Sequence, residues 1–315
     1  MQVGAGDEMS GPTEARGVAG IKTLLSGSQD RLQFYCDVVG LPVPVCGPVA
    51  GGERDLGLRR AEDVELARLI LAAFGLHSVD AIRGRIGSLR VLAASAVRAA
   101  SQSAMGLRQG TGEVEVLERE PGFAGFFGVD VVSLTHRRFD GAMSPTLRRE
   151  IFLAGDAVTV LPYDPVRDRV LVIEQMRMGP LGRGDPMPWQ IEAIAGRIDP
   201  GESPEDCARR EAVEEAGLQL GRLEKVGEYY PSPGAVSEYI YSYVAVCDLP
   251  DDVAGVFGEE AEAEDIRGML LSHQDLMAAL SRGDIGNAPL MLTALWLDRE
   301  RDRLRKLGKI VPLTS

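Results

Sequence analysis

The chain has 315 residues, 45% of them hydrophobic, and a formal net charge of −13 from 34 basic and 47 acidic side chains. A length of this order suggests two domains. The acidic excess repels nucleic acid and anionic membranes, and no apolar run reaches the roughly eighteen residues that a membrane span needs. The same field opposes an anionic substrate at long range, so local cations must overcome it. Residues 1–20, MQVGAGDEMSGPTEARGVAG, are polar and Gly-rich and lack a signal peptide's basic start and apolar middle. Residues 1–25 therefore read as a flexible tail.

An accessory, partly helical region is expected over 26–110. It begins with the apolar stretch RLQFYCDVVGLPVPV (31–45). A helix near Asp63–Phe74 follows from the spacing of Val64, Ala67, Leu69, Ile70 and Ala73. A second helix is expected near Val79–Ala100, carrying Arg83, Arg85, Arg90 and Arg98. Such a basic face can meet an acidic partner, but solvation is its ordinary meaning. The polar, Gly-containing stretch Ser101–Thr111 marks a boundary. Beyond it, residues 111–155 alternate like strands, with Val114, Val116, Val129, Val131 and Leu134 as the apolar positions. The last domain runs over 156–315. In it VLVIEQMRM (170–178) reads as an apolar strand ending in Glu-Gln-x-Arg, and the planar guanidinium of Arg177 suits a diphosphate. A second short strand, WQIEAIAG (189–196), leads into an acidic helix.

That helix lies within GRIDPGESPEDCARREAVEEAGL (196–218). Ser203 caps it, Pro204 takes its first position and Gly217 stops it. At about 100° per residue, Glu211, Glu214 and Glu215 share a face, while Ala208, Ala212, Val213 and Ala216 form an apolar face for packing on a sheet. Like charges three and four apart destabilise a helix, so the cluster asks for a cation. Arg210 can pair with one acid. Carboxylates with no His or Cys partner suit Mg²⁺ or Mn²⁺ rather than zinc. A bare acidic run is ordinarily a solvated face, but the fixed spacing of Gly196, Glu202 and Arg210-Glu211 points to a metal site. Pro233 and Gly234 sit in a loop further on, and GEEAEAEDI (258–266) reads by itself as an acidic surface loop.

Competing chemistries find little support. There is no Gly-x-Ser-x-Gly elbow, and His77, His136 and His273 share no metal-ligand spacing with a cysteine. Cys36, Cys46, Cys207 and Cys247 form no CxxC pair, a usage that suits a reducing cytoplasm. Cys207, one turn before Glu211, reads as a small buried residue.

The 196–218 stretch resembles the Nudix box, apart from a small residue, Ala212, where a larger aliphatic is usual. The similarity extends from about Glu113 to Leu297 and is of the bacterial ADP-ribose pyrophosphatase type. It includes GFFGVDVVSLTHRRFDGAMSPTLRREIF (125–152) and GDIGNAPLMLTALWL (283–297). The resemblance implies an α/β fold: a Nudix α/β/α sandwich with a mixed sheet, plus a small N-terminal β subdomain exchanged between two subunits of a homodimer. It implies Glu211 and Glu215 as main metal ligands, Glu202 and Glu214 as secondary ligands or supports, Arg210 as their orienter, and the Ala195 carbonyl as a further ligand. Pro233, sixteen residues after Gly217, resembles the mark of ADP-ribose enzymes. By the same likeness Glu262 is the favoured catalytic base and Glu264 an extra metal ligand, with Glu259 and Glu260 competing for either role. Phe126 or Phe127 would stack on adenine, if they are not simply core. Arg148, Arg149 or Glu150 would reach the partner's substrate. The implied reaction is Mg²⁺-dependent hydrolysis of ADP-ribose. Hydrolysis of other nucleoside diphosphate sugars such as GDP-mannose, or sensing without turnover, are the alternatives. Residues 31–45 and the helices after them resemble the end of the gamma-glutamylcyclotransferase-like part of tellurite-resistance Nudix proteins, although the glycine motif of that domain's start is absent.

Overall fold

The computed structural model describes residues 29–41, 60–101, 107, 110, 112–258 and 265–308. The expected tail over 1–25 and most of the Ser101–Thr111 boundary lie outside these residues. The chain divides into two compact units, Met1–Ala154 and Gly155–Ser315.

The first unit contains helices α1 (Gln29–Val39), α2 (Ala61–Ala72), α3 (Val79–Arg83) and α4 (Ile86–Ser101). Leu32, Ile70, Leu71, Ile82, Leu89 and Ala93 form their shared core. The expectation of one helix over Val79–Ala100 needs correction, because the chain breaks at Gly84-Arg85. Ser78 caps α3 by accepting the Ala81 N–H at 3.3 Å, and Gly84, a poor helix former, closes it through a bond to the Asp80 carbonyl.

The same unit carries an antiparallel sheet of β1 (Val114–Ala124), β2 (Gly128–His136) and β3 (Leu147–Leu153), in that order. β1 is an edge strand with two bulges, one of them just after Pro121. Proline donates no ladder bond and is tolerated there. The alternation of Val114 and Val116 does not give β1 a buried face, since both are more than half exposed.

The second unit is an α/β/α sandwich. Its eight-stranded sheet runs β10-β11-β5-β4-β9-β8, with β6 paired to β5 and β7 to β4. These strands are β4 (Ala157–Asp164), β5 (Arg169–Met176), β6 (Trp189–Glu192), β7 (Ile194–Arg197), β8 (Arg222–Tyr229), β9 (Ile240–Val246), β10 (Val256–Phe257) and β11 (Ile266–Ser272). The sheet is mixed, because β4 and β9 are parallel and the other pairs antiparallel. Successive strand residues point to opposite faces. Val158, Val160, Leu171, Ile173, Tyr241 and Tyr243 therefore face helix α6 (Pro204–Ala216). Leu161, Tyr163, Val170, Val172 and Val244 face α7 (His273–Arg282) and α8 (Ala288–Gly308). A short helix, α5 (Met178–Arg183), joins β5 to β6. Among the described residues no helix is long and apolar enough to cross a membrane.

Candidate active site

Helix α6 begins and ends as its caps dictate. Ser203 Oγ accepts the Asp206 N–H at 3.1 Å. Gly217 adopts φ 59°, and the N–H groups of Gly217 and Leu218 close onto the carbonyls of Val213 and Ala212. Ala208, Ala212 and Ala216 are buried as expected. Val213 is not on that face, being 45% exposed, whereas Glu215 is 3% exposed. The helical angle explains both. The buried arc runs from Cys207 round to Ala216 and is centred near Ala208 and Glu215, with Val213 beyond its edge.

A buried carboxylate needs partners, and strand β7 supplies one. The Ala195 N–H donates to Glu215 Oε2 at 3.1 Å. In extended backbone the N–H and C=O of one residue leave by the same edge, so the Ala195 carbonyl shares that edge. One turn earlier, Glu211 lies across Gly196. A Cβ at position 196 would stand 1.7 Å from Glu211 Oε1. The glycine that opens the motif is there to admit this carboxylate.

Arg210 pairs with three acids rather than one. Its guanidinium donates to Glu202 through Nε and Nη2 at 2.9 and 3.1 Å, to Glu211 at 2.7 Å and to Glu214 at 2.8 Å. Nη2 also reaches the Arg197 carbonyl and Cys207 Sγ. Burial raises the pKa of Glu202, but Arg210 and the Asp199 N–H outweigh it and hold the carboxyl below its usual range. Cys207 is fully buried, its thiol pushed well up by burial and by Glu202 and Glu211. It donates to the Arg197 carbonyl. Among the described residues no three acidic, His or Cys side chains converge as a ready metal site, since Glu202, Glu211 and Glu214 are gathered on Arg210. The donors nevertheless fit a hard divalent ion. Glu211 and Glu215 lie side by side over Ala195-Gly196, every potential ligand is oxygen, and oxygen donors suit Mg²⁺ or Mn²⁺.

A family model described as the NUDIX domain matches residues 154–293. An ADP-ribose pyrophosphatase of Escherichia coli (strain K12) is 40% identical over 196 residues, 62% of this chain and 93% of that protein. The chain belongs to the Nudix hydrolase family. An ADP-ribose pyrophosphatase of Haemophilus influenzae is 31% identical, over 62% of this chain and 91% of that protein. A GDP-mannose pyrophosphatase of Enterobacter sp. (strain 638) is 31% identical, over 48% and 77%.

Around the Nudix helix, Arg177 follows the end of β5 and donates to Glu192 Oε2 at 2.5 Å. Its side chain remains 39% exposed, and it belongs to a mixed-charge group with Glu192, Glu238 and Arg197. Burial pushes the Glu238 carboxyl up, opposed by Arg177 and Arg197. Neither Glu192 nor Glu238 belongs to a motif in the sequence, although an acid inside the apolar run WQIEAIAG marks the first. Pro233 and Gly234 are exposed in the β8–β9 loop. That loop is flanked by Tyr230, Tyr239 and Tyr241, stacked edge to face at 4.8 and 5.3 Å. Glu259, Glu260, Glu262 and Glu264 lie outside the described residues. Their loop leaves the sheet at Phe257, whose ring would lie 3.3 Å from a Cβ at Gly217, the end of the Nudix helix.

The remaining expected residues belong to the first unit. Phe126 and Phe127 are 65% and 40% exposed, so they are not core. Their rings meet edge to face at 4.9 Å, and Phe127 lies 4.9 Å from Phe152. Arg148, Arg149 and Glu150 are exposed on β3, Arg148 lying 3.8 Å from Glu120 and 3.7 Å from Glu150.

Proposed function

We propose that the protein hydrolyses ADP-ribose to AMP and ribose 5-phosphate in a reducing cytoplasm, as a homodimer that exchanges its small sheet. The reading is carried by the 40% identity across almost the whole of the E. coli ADP-ribose pyrophosphatase. The packing of Glu211 and Glu215 over Ala195-Gly196 supports the reaction class. Among the described residues Cys36, Cys207 and Cys247 are free and buried, in keeping with that compartment.

In this mechanism Glu211 and Glu215 would hold Mg²⁺, or Mn²⁺ in its place, with Glu202, Glu214, Glu264 and the Ala195 carbonyl as further donors. Such an ion, when bound, would supply charge neutralisation at the diphosphate and a lowered pKa for the attacking water, towards about 7. Arg210 keeps the carboxylates in position, and Arg177 orients the diphosphate by charge-assisted hydrogen bonds. Glu262 takes the proton as water oxygen bonds to one phosphorus. The bond from that phosphorus to the bridging oxygen breaks, and the second phosphate leaves with the electron pair. Phe126 or Phe127 stacks on adenine.

A second reading, hydrolysis of GDP-mannose, rests on the 31%-identical relative of that name. Pro233 favours ADP-ribose over it. Incubating the purified protein with Mg²⁺ and a panel of nucleotide sugars decides between them: AMP from ADP-ribose is expected, and preferential release of GMP from GDP-mannose overturns the assignment. Tight ADP-ribose binding without turnover identifies a sensor.

A further inference from the structure

Cross-strand partners in the small sheet share a face, which sorts its residues. Gly128 pairs with Leu153, Asp130 with Ile151 and Val132 with Arg149. Val129 pairs with Phe152, Val131 with Glu150 and Ser133 with Arg148. The first set includes the buried Gly128 and Val132. The second carries Phe152, Glu150 and Arg148, all exposed, with the Phe127 ring packed on Phe152. Of the candidate substrate contacts, Arg148 and Glu150 therefore share a face with Phe127, and Arg149 does not.

The helical region reaches the buried face at Arg85, where α3 gives way to α4. A Cβ at Gly128 would lie 3.4 Å from Arg85 Nη2 and 3.2 Å from Leu153 Cδ1. The Arg85 guanidinium thus lies against the start of β2, next to Phe126-Phe127. The contact is one of packing and field rather than hydrogen bonding. Arg85 Nε is buried without a hydrogen-bond partner, and the nearby charge of Asp130 is already paired with Arg119. A three-stranded sheet with one open face is marginal unless something packs on the other.

We propose that Arg85 is a positioning residue for substrate: seated on Gly128, it fixes the β1–β2 turn so that Phe126 or Phe127, with Glu150 and Arg148 on the same outer face, meets the nucleoside diphosphate in one arrangement. The inference rests on the reading of the small sheet as a substrate-binding arm. It gives the accessory helices a role in affinity, although more than a third of the chain lies outside the match to the E. coli relative.

The test is steady-state hydrolysis of ADP-ribose by the full-length protein carrying Arg85→Ala, Arg85→Lys, Phe126→Ala or Phe127→Ala, with urea midpoints measured in parallel. Arg85→Ala raises KM about 10- to 100-fold, the scale of a small misplacement of a binding group, and leaves kcat near wild type. Arg85→Lys recovers part of the loss, since it keeps the charge but not the planar group. A role in folding alone would lower the urea midpoint at constant KM. Wild-type KM in Arg85→Ala, alongside a raised KM in either phenylalanine variant, overturns the positioning role and leaves the arm reading standing. Wild-type KM in both phenylalanine variants overturns the arm reading and the proposal with it. Should Arg85→Ala not fold, Arg85→Lys decides: a raised KM supports the role and a wild-type KM refutes it.

Discussion

Two arginine–carboxylate clusters in the second unit have opposite stoichiometry. At the Nudix helix one guanidinium, Arg210, serves Glu202, Glu211 and Glu214, with Glu215 buried beside them. At the turn between β4 and β5 one carboxylate, Asp168, serves Arg301, Arg305 and the Tyr163 hydroxyl. In the first cluster the carboxylates outnumber the guanidinium, the composition that the proposed metal site calls for. The second is satisfied by protein alone and ties α8 to the sheet. The same residue types thus make the proposed binding site or a clamp, according to which sign is in surplus.

The comparison breaks most sharply at the acids. Glu262→Gln should slow kcat by about 10² to 10⁴, the usual worth of a general base, with ADP-ribose affinity largely kept. Near-full turnover there together with lost turnover in Glu264→Gln would exchange the two roles. Glu211→Gln or Glu215→Gln should cut activity on the scale of about 10² or more expected for lost electrostatic stabilisation. Either change should also raise the Mg²⁺ concentration needed for half-maximal rate. An unchanged Mg²⁺ requirement in both variants would remove them as ligands.

A subtler break leaves every acid in place. Gly196→Ala puts a methyl group where Glu211 now lies, 1.7 Å from its Oε1. The carboxylate must move, and a displacement of that size costs roughly 10- to 100-fold in activity. The urea midpoint should fall by less than the activity loss implies. Wild-type kinetics in this variant would show that the observed Glu211 position is not the working one.

The sequence revealed what is settled by local chemistry. Ser203, Pro204 and Gly217 bound the Nudix helix because capping acts within a few residues, and the apolar run 170–178 announces β5, buried on both faces over Val170–Ile173. What it hid depends on neighbours distant in the chain. Nothing near Gly196 says that its missing Cβ is filled by Glu211, fifteen positions on. The grouping of Arg177 with Glu192 and Glu238 draws on three separate segments. Glu215 falls at the centre of the buried arc and Val213 beyond its edge, and the Ala195 N–H on β7, twenty positions away in the chain, is the partner that lets the charged residue be buried.

The Asp168 clamp supplies the smallest effect and the cleanest contrast. Asp168 takes φ 58°, in the left-handed region that non-glycine residues rarely enter. Burial raises its pKa, but Arg301, Tyr163 and Arg305 together hold it well below the ordinary range. A carboxyl depressed on folding stabilises the protein fully above its unfolded pKa of about 3.9, and that contribution is lost as pH falls through the folded value. Asp168→Asn should therefore cost about 1–3 kcal/mol at neutral pH, the range for a hydrogen-bonded charge. It should also flatten the decline of the urea midpoint below about pH 5. ADP-ribose turnover and its Mg²⁺ dependence should stay at wild-type values in this variant, whereas Glu211→Gln should alter both. If Asp168→Asn changed the Mg²⁺ requirement, the separation between a protein-neutralised clamp and a metal-neutralised site would fail.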